Sequence, residues 1–286
     1  MGRMQLYNDD CLKVLPTIPD GSVDCIITDL PYGVTNKASE AGKWDSPIAM
    51  EPLWEQFWRV LKPNGAVVLF AQGMFTAHLM MSQPKYWRYN LIWDKCRASG
   101  FLNAKRMPLR YHEDICVFYR SLPTYNPQLE DLNGREPNHM QGMGKHKKTN
   151  RCYGSLERWP TAYVAGVEGK KFPKSILSFP RPHCTGNHPT EKSVDLCRWL
   201  IRTYTNPGET VLDATMGSGT TMVAAELEGR MGIGIELEQK YFDVAKKRVE
   251  EAQKDFTPDS TSGIIEQESI ERKESDHDDT GTNQPT

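Results

Sequence analysis

Three observations predict an α/β fold built on a largely parallel sheet. The stretch Val211-Leu-Asp-Ala-Thr-Met-Gly-Ser-Gly-Thr-Thr221, continued to Ile233-Gly-Ile-Glu236, reads as strand, tight turn, helix and second strand. Val23 to Thr28 and Ala66 to Ala71 are nearly all apolar, as strands covered on both faces must be. The 286 residues, 38% hydrophobic, suffice for one such core plus an insertion.

The remaining elements follow in order. Met4 to Asn8 reads as a strand, followed by Asp9-Asp10 and a short helix from Cys11 to Leu15. Val23–Thr28 ends in Asp29-Leu-Pro-Tyr32-Gly33, and the polar residues 34–49 read as a loop. Leu53, Trp54, Phe57, Trp58 and Leu61 recur at helical spacing, so 51–61 is a helix with an apolar stripe toward the core. Lys62-Pro-Asn-Gly65 breaks it before the strand 66–71. A helix is expected over 75–81, strands over 86–93, 114–119 and 175–179, and helices over 193–205 and 241–252. Residues 121–174 are rich in Pro, Gly, Asn and basic residues without apolar periodicity, which marks an insertion. Residues 253–286 are polar and acidic, a composition that cannot bury a core and reads as a disordered tail. The catalytic body is therefore 1–120 with 175–252.

Composition bounds function. No apolar run approaches the roughly 18 residues of a membrane span, and Met1-Gly-Arg-Met lacks the apolar core of a signal peptide, so a cytoplasmic protein with no membrane partner is expected. Seven cysteines without a Cys-x-x-Cys read as reduced thiols rather than a disulfide framework or metal site. From Glu251 onward ten acids face three cations, a charge of −7, so with −2 overall residues 1–250 carry +5. A mildly basic body is compatible with nucleic-acid binding.

The glycine-bearing turn is the first candidate site. Gly217 and Gly219 let backbone approach a ligand, and the next helix presents its first N–H groups there. Glu236, closing the second strand of a βαβ unit, is placed to accept from ribose hydroxyls, so the unit suits a nucleoside-like cofactor. No Lys follows Gly219, which excludes a phosphate-gripping P-loop, and Met222 stands where a dinucleotide fingerprint needs its third glycine. Taken alone, Gly-x-Gly also fits a plain βα turn. The longer string Leu212-Asp-Ala-Thr-Met-Gly-Ser-Gly-Thr-Thr221 resembles the S-adenosyl-L-methionine loop of DNA amino-methyltransferases, usually Leu-Asp-Pro-Phe-x-Gly-Ser-Gly-Thr-Thr; Ala214 and Thr215 depart from it.

Asp29-Leu30-Pro31-Tyr32 is the second candidate. An exocyclic base amine is a poor nucleophile because its lone pair is delocalised into the ring. A carboxylate and a neighbouring backbone carbonyl can bind its two N–H groups and favour pyramidal nitrogen. Pro31 stiffens the turn so that the Leu30 carbonyl can point inward, and Tyr32 offers a stacking face for an extruded base. The other reading of the same residues is a structural Asp-x-Pro turn. The order of segments resembles the beta group of DNA amino-methyltransferases, in which a catalytic Asp-Pro-Pro-Tyr precedes the cofactor loop; here Leu30 replaces the first Pro. The resemblance also covers Asn8-Asp-Asp-Cys-Leu12, Lys62-Pro-Asn-Gly-Ala-Val-Val-Leu69, Arg110-Tyr-His-Glu-Asp-Ile115 and His188-Pro-Thr-Glu-Lys-Ser193.

That resemblance implies a bacterial or phage-encoded, adenine-specific enzyme of restriction-modification type. It implies a circularly permuted, Rossmann-like, seven-stranded methyltransferase sheet with an inserted target-recognition region at 121–174. S-adenosyl-L-methionine would be held by Asp10 at the adenine, by Asp213, Met216, Gly217, Ser218, Gly219, Thr220 and Thr221 of the loop, and by Glu236 at the ribose. Thr190 and Lys192 would lie near the methionine moiety, Lys192 being otherwise a solvated helix start, while His112 and Glu113 would be scaffold. Lys145, Lys147, Lys148 and Arg151 would grip double-stranded DNA, and a homodimer is among the allowed assemblies. Methylation of a cytosine amine and a non-catalytic nucleic-acid-binding protein are the alternatives. Cytosine ring-carbon chemistry is excluded because no Cys follows a Pro.

Overall fold

The computed structural model describes residues 3–33, 45–131, 170–182 and 191–255. Its strands are β1 (Met4–Asn8), β2 (Val23–Thr28), β3 (Leu61–Ala71), β4 (Trp87–Ser99), β5 (Arg110–Phe118), β6 (Glu130–Asp131), β7 (Lys170–Lys171), β8 (Ile176–Ser178), β9 (Thr210–Asp213) and β10 (Met231–Glu236). The helices are α1 (Cys11–Val14), α2 (Met50–Val60), α3 (Met74–Ser82), α4 (Val194–Tyr204), α5 (Thr220–Leu227) and α6 (Gln239–Asp255). The main sheet runs β1-β10-β9-β2-β3-β5-β4-β8. Neighbours are parallel except at β5, which is antiparallel to both β3 and β4.

The sheet thus has eight strands where seven were expected. Among them is β8, the strand expected over 175–179, which adds to the free edge of β4 through Ile92↔Ile176 to Asp94↔Ser178. β4 runs on to Ser99, six residues beyond the expected end at Trp93, and Asp94 of that extension is the last residue paired with β8. Residues 62–65 are a second correction. Lys62-Pro-Asn-Gly65 does not separate helix from strand but lies inside β3, where the register with β2 jumps from Val23↔Leu61 to Cys25↔Ala66. The irregularity is held by Lys62, whose Nζ sits 2.7 Å from Asp24 Oδ1. Likewise Arg110–Glu113, expected as a lead-in, belong to β5, and α6 runs three residues past the expected Ala252 to Asp255.

Both sheet faces are covered, and the central strands alternate between them. Ile26, Val67, Leu69, Phe118 and Leu212 pack under α1, α2 and α3, while Cys25, Ile27, Val68, Ile115 and Val211 pack under α4 and α5. In α2 the stripe Leu53, Trp54, Phe57 and Val60 is buried. Each such side chain contributes about 1.5–3 kcal/mol on burial, so packing rather than intrinsic propensity holds this eleven-residue helix. A smaller cluster, Met216, Met222, Val223, Ala245, Val249 and Ala252, joins α5 to α6.

That last contact sets the glycine turn. Gly219 caps α5 with φ +78°, and a Cβ there would lie 2.8 Å from Ala245 Cβ and 3.0 Å from Ala245 Cα. Gly219→Ala therefore combines a left-handed backbone with a clash against a helix that has no slack. A loss of about 2–3 kcal/mol is expected in denaturant unfolding, and an unchanged midpoint would show that α6 can move aside.

The β6–β7 pair, Glu130↔Lys171 and Asp131↔Lys170, brackets residues 132–169, which lie outside the described residues. Before it the chain stays on the body, with Asn126 N–H donating to the Thr203 carbonyl of α4 (2.8 Å) and its side-chain amide to the carbonyls of Arg202 and Thr205 (both 3.1 Å). No helix among the described residues is long and apolar enough to cross a membrane.

Candidate functional site

The parallel strands β1, β10, β9, β2 and β3 all end at one edge of the sheet, where loops from several strands surround a cleft of about 560 Å³. Asp29 to Tyr32 follow β2, Asp213 to Ser218 follow β9, Glu236 to Glu238 follow β10, and Asp10 follows β1; all line this cleft. So do Thr220, Thr221 and Lys192. Gly219 does not, since its missing side chain makes room for α6 instead. Thr190, Lys145, Lys147, Lys148 and Arg151 lie outside the described residues.

Each loop is held by side chains whose charge the backbone can use. Glu236 is nearly buried; its Oε2 accepts from the Gly217 N–H at 2.8 Å and its Oε1 from the Glu238 N–H at 2.9 Å. Burial nevertheless raises its pKa, those two donors pulling the other way. The Asp10 carboxylate caps α1 through the Leu12 N–H at 2.9 Å. Asp213 accepts from the Thr215 N–H at 3.1 Å, and burial pushes its carboxyl up to about 6 despite the Thr221 and Thr28 hydroxyls beside it. Arg248 of α6 clamps the turn from behind, donating to Ser218 O (2.7 Å) and Oγ (2.9 Å) and pairing with Glu191 at 2.7 Å.

Thr215, one of the departures from the family string, ties the two candidate loops together. Its hydroxyl donates to the Asp29 carbonyl at 3.0 Å and shares a 2.8 Å hydrogen bond with the Thr28 hydroxyl. The β2 and β9 loops therefore cannot move independently. Tyr32 donates to Asp29 Oδ1 at 2.7 Å and stacks on Phe75, ring centroids 4.7 Å apart. One face of the tyrosine is thus already taken. A second recess of about 320 Å³, mostly apolar, lies behind this wall between Met50, Met74, Phe75 and His78.

Asp29 ends an alternating series of charges. Lys192 Nζ contacts Asp29 Oδ2 and stands 3.6 Å from Glu113 Oε2, while Glu113 Oε1 is 3.2 Å from the buried Lys95 Nζ. Burial raises the Asp29 carboxyl, Lys192 opposes this, and the Glu113 charge adds to it. Burial acts on Glu113 in the same sense, but Lys192 and Lys95 together overcome it and hold that carboxyl below its usual value. Burial disfavours the Lys192 ammonium, yet Asp29 and Glu113 outweigh burial and raise its pKa. Among the described residues Glu113 Oε2 is buried with no hydrogen-bond partner, the 3.6 Å separation from Lys192 being an ion pair too long for a hydrogen bond. Glu113, expected as scaffold, is in fact a wall of the cleft. The strand's alternation could have revealed it, since exposed His112 and half-buried Glu113 must face opposite ways.

The cleft as a whole is acidic. Asp9, Asp10, Asp29, Asp45, Glu113, Glu191, Asp213, Glu236 and Glu238 line it, and Lys192 is the single cation that lines it among the described residues. Such a site favours a cationic ligand and a neutral one over a phosphate.

Comparison with known proteins fits this geometry. Residues 23–247 match the family model described as DNA methylase. Type II methyltransferase M.HpaI of Haemophilus parainfluenzae is 26% identical over 263 residues, 86% of this chain and 74% of its own. Type II methyltransferase M2.DpnII of Streptococcus pneumoniae is 26% identical over 268 residues, 87% of this chain and 90% of its own. Among solved structures, the M1.HpyAVI–SAM complex shares the fold with a TM-score of 0.55 at 24% identity, covering 86% of this chain and 98% of that one. The cytosine-N4-specific PvuII DNA methyltransferase shares it with a TM-score of 0.58 at 16% identity, covering 87% and 86%.

Proposed function

The chain belongs to the DNA methylase family, and on that footing we propose that it methylates the exocyclic amine of an adenine extruded from double-stranded DNA, using S-adenosyl-L-methionine. The observation that carries the reading is the cleft's nine carboxylates against one lysine, with Asp29 of the β2 loop roped to the glycine turn by Thr215. The residues fit the cofactor on their own chemistry. A sulfonium and an ammonium are stabilised by this surplus of negative charge, and Glu236 and Asp10 are acceptors available to a nucleoside. A dinucleotide or triphosphate would be repelled. The same field keeps the DNA backbone out, so only an uncharged base can enter, which favours extrusion over docking of an intact duplex.

When bound, S-adenosyl-L-methionine supplies an electrophilic methyl group on a positively charged sulfur. Asp29 accepts a hydrogen bond from the target N–H, which raises the electron density on nitrogen. A carboxylate has about four acceptor positions, so Tyr32 and Lys192 leave room for the amine. Asp29 would then stabilise the positive charge that develops on the target nitrogen until its proton leaves to solvent. Burial raises the Asp29 carboxyl, and Lys192 opposes that rise and so favours the anion. Catalysis is then positioning and electrostatics, with no covalent intermediate.

The first-position Asp29 favours adenine, because the resembled family tends to carry Ser there for the cytosine amine. We also read the chain order, catalytic loop before cofactor loop, as a circular permutation of the methyltransferase sheet, and assign target recognition to 121–174. Incubation with methyl-labelled cofactor and unmethylated mixed-sequence duplex, then nucleoside mass spectrometry, should give N6-methyladenine. N4-methylcytosine would overturn the adenine assignment, and unlabelled DNA with no cofactor binding would overturn the whole reading. Glu236→Ala should weaken cofactor binding by about 1–3 kcal/mol in calorimetry, the cost of a buried polar contact left unmade. Equal affinity would place the ribose elsewhere.

A further inference from the structure

We propose that the tip of the β4–β5 hairpin, residues 96–109, is a contact for duplex DNA, with Phe101 and Leu102 wedged against the base stack and Lys105 and Arg106 on phosphates. This rests on the methyl-transfer reading and adds the place where the duplex is held. The hairpin springs from the rim of the cleft. Glu113 and Gln72 line the cleft, and Gln72 accepts from Arg110 at 2.6 Å while donating to the His112 carbonyl at 3.1 Å.

Above that rim the ladder breaks. Between the pairs Asp94↔His112 and Ser99↔Arg110, residues 95–98 of β4 face Tyr111 alone, a bulge that re-aims the tip away from the sheet. The Asp94 carboxylate holds it by accepting from the Cys96 N–H at 2.9 Å. The tip then carries large apolar side chains in water: Leu102 is 102% exposed, Phe101 67% and Met107 53%. Such a cluster costs solubility unless something covers it.

Charge identifies the occupant. Residues 96–109 hold three cations, Arg97, Lys105 and Arg106, and no acid, while the cleft below them is acidic. Lys105 and Arg106 are exposed. A polyanion with an apolar interior matches a basic stage bearing an apolar wedge, and DNA is that ligand: cations take the phosphates, and the wedge takes the gap that opens when a base leaves the stack. The arrangement also solves the cleft's electrostatic problem, because phosphates gain favourable contacts at the rim while the base descends.

Two double variants of the full chain test this on unmethylated mixed-sequence duplex. K105A/R106A should bind about tenfold more weakly, with a log–log salt dependence shallower by about 2. F101A/L102A should keep the salt dependence but transfer methyl groups about tenfold more slowly, since the extruded state loses its wedge. Both should keep the melting temperature and the cofactor affinity, which separates them from misfolding. Wild-type salt dependence in the first and wild-type transfer in the second, with the parent enzyme active, would overturn the hairpin assignment alone. A parent that neither binds nor methylates DNA would overturn the methyl-transfer reading with it. If F101A/L102A turns a dimer into a monomer by sedimentation without affecting DNA, the tip joins two copies of the chain and the proposal fails.

Discussion

Asp29→Asn is expected to slow methyl transfer to DNA by about 10³-fold while leaving cofactor affinity near wild type. The side chain keeps its shape and an oxygen that can accept from Tyr32, so the β2 loop should stay in place. What is lost is the anion beside the amine as positive charge develops on nitrogen. Lys192 still has Glu113 at 3.6 Å, so no unpaired cation is created and the fold should tolerate the change. Eight other carboxylates still line the cleft, which is why binding of a cationic cofactor should survive. Single-turnover transfer and calorimetry on the same preparation separate the two quantities. Transfer within tenfold of wild type would remove Asp29 from the chemistry, and equal losses in binding and transfer would make it a cofactor ligand.

Much of this arrangement was legible before the structure. The buried strands announced themselves by composition, because a strand covered on both faces is apolar along its middle: Cys25 to Ile27 of β2 and Val211-Leu212 of β9 are apolar, and Asp24, Thr28, Thr210 and Asp213 stand toward the strand ends. The glycine turn and the carboxylate ending β10 were legible because their spacing is local. What escaped were relations between distant residues. Nothing near Asp29 reveals that Lys192 and Glu113 converge on it, since the three lie on separate segments brought together by the sheet order. The length of β4 was hidden for another reason: beyond Trp93 its apolar alternation stops, and pairing with β5, resumed at Ser99↔Arg110, carries the strand to Ser99. Lys62–Gly65 misled because Pro and Gly usually punctuate, whereas here they shape a bulge inside β3.

The charge layout connects these relations to function. Carboxylates gather inside the cleft and cations on the hairpin above it, and on the proposed reading this layout would hold the DNA backbone outside and admit an extruded base. The hydrogen bond from the Thr215 hydroxyl to the Asp29 carbonyl couples the order of the β9 turn to that of the β2 loop.

Lys192→Met should be the most damaging single change in the cleft, to stability and to the pH dependence of the reaction alike. The lysine side chain is 10% exposed, and its removal leaves Asp29 and Glu113 facing each other without the shared cation, Glu113 retaining Lys95. Breaking a buried ion pair by deleting one partner costs about 3–5 kcal/mol when the orphaned charge cannot escape. Here protonation of Asp29 offers an escape, so about 2–3 kcal/mol near neutral pH is the expected loss. The sign with pH follows. Burial already holds the Asp29 carboxyl above its unfolded value, and without Lys192 it rises further, while Glu113 loses one of the two lysines that hold it below its usual value. A raised folded-state pKa contributes stability below the unfolded value that is lost as pH climbs through the folded value. The variant's deficit should therefore be small in acid and grow toward neutrality. Transfer requires Asp29 as the anion, so the acidic limb of the rate profile should move to higher pH and activity should recover in part on the alkaline side. Urea unfolding at several pH values and rates across the same range check both statements. A deficit independent of pH, with an unmoved acidic limb, would mean that Lys192 does not set the charge state of Asp29.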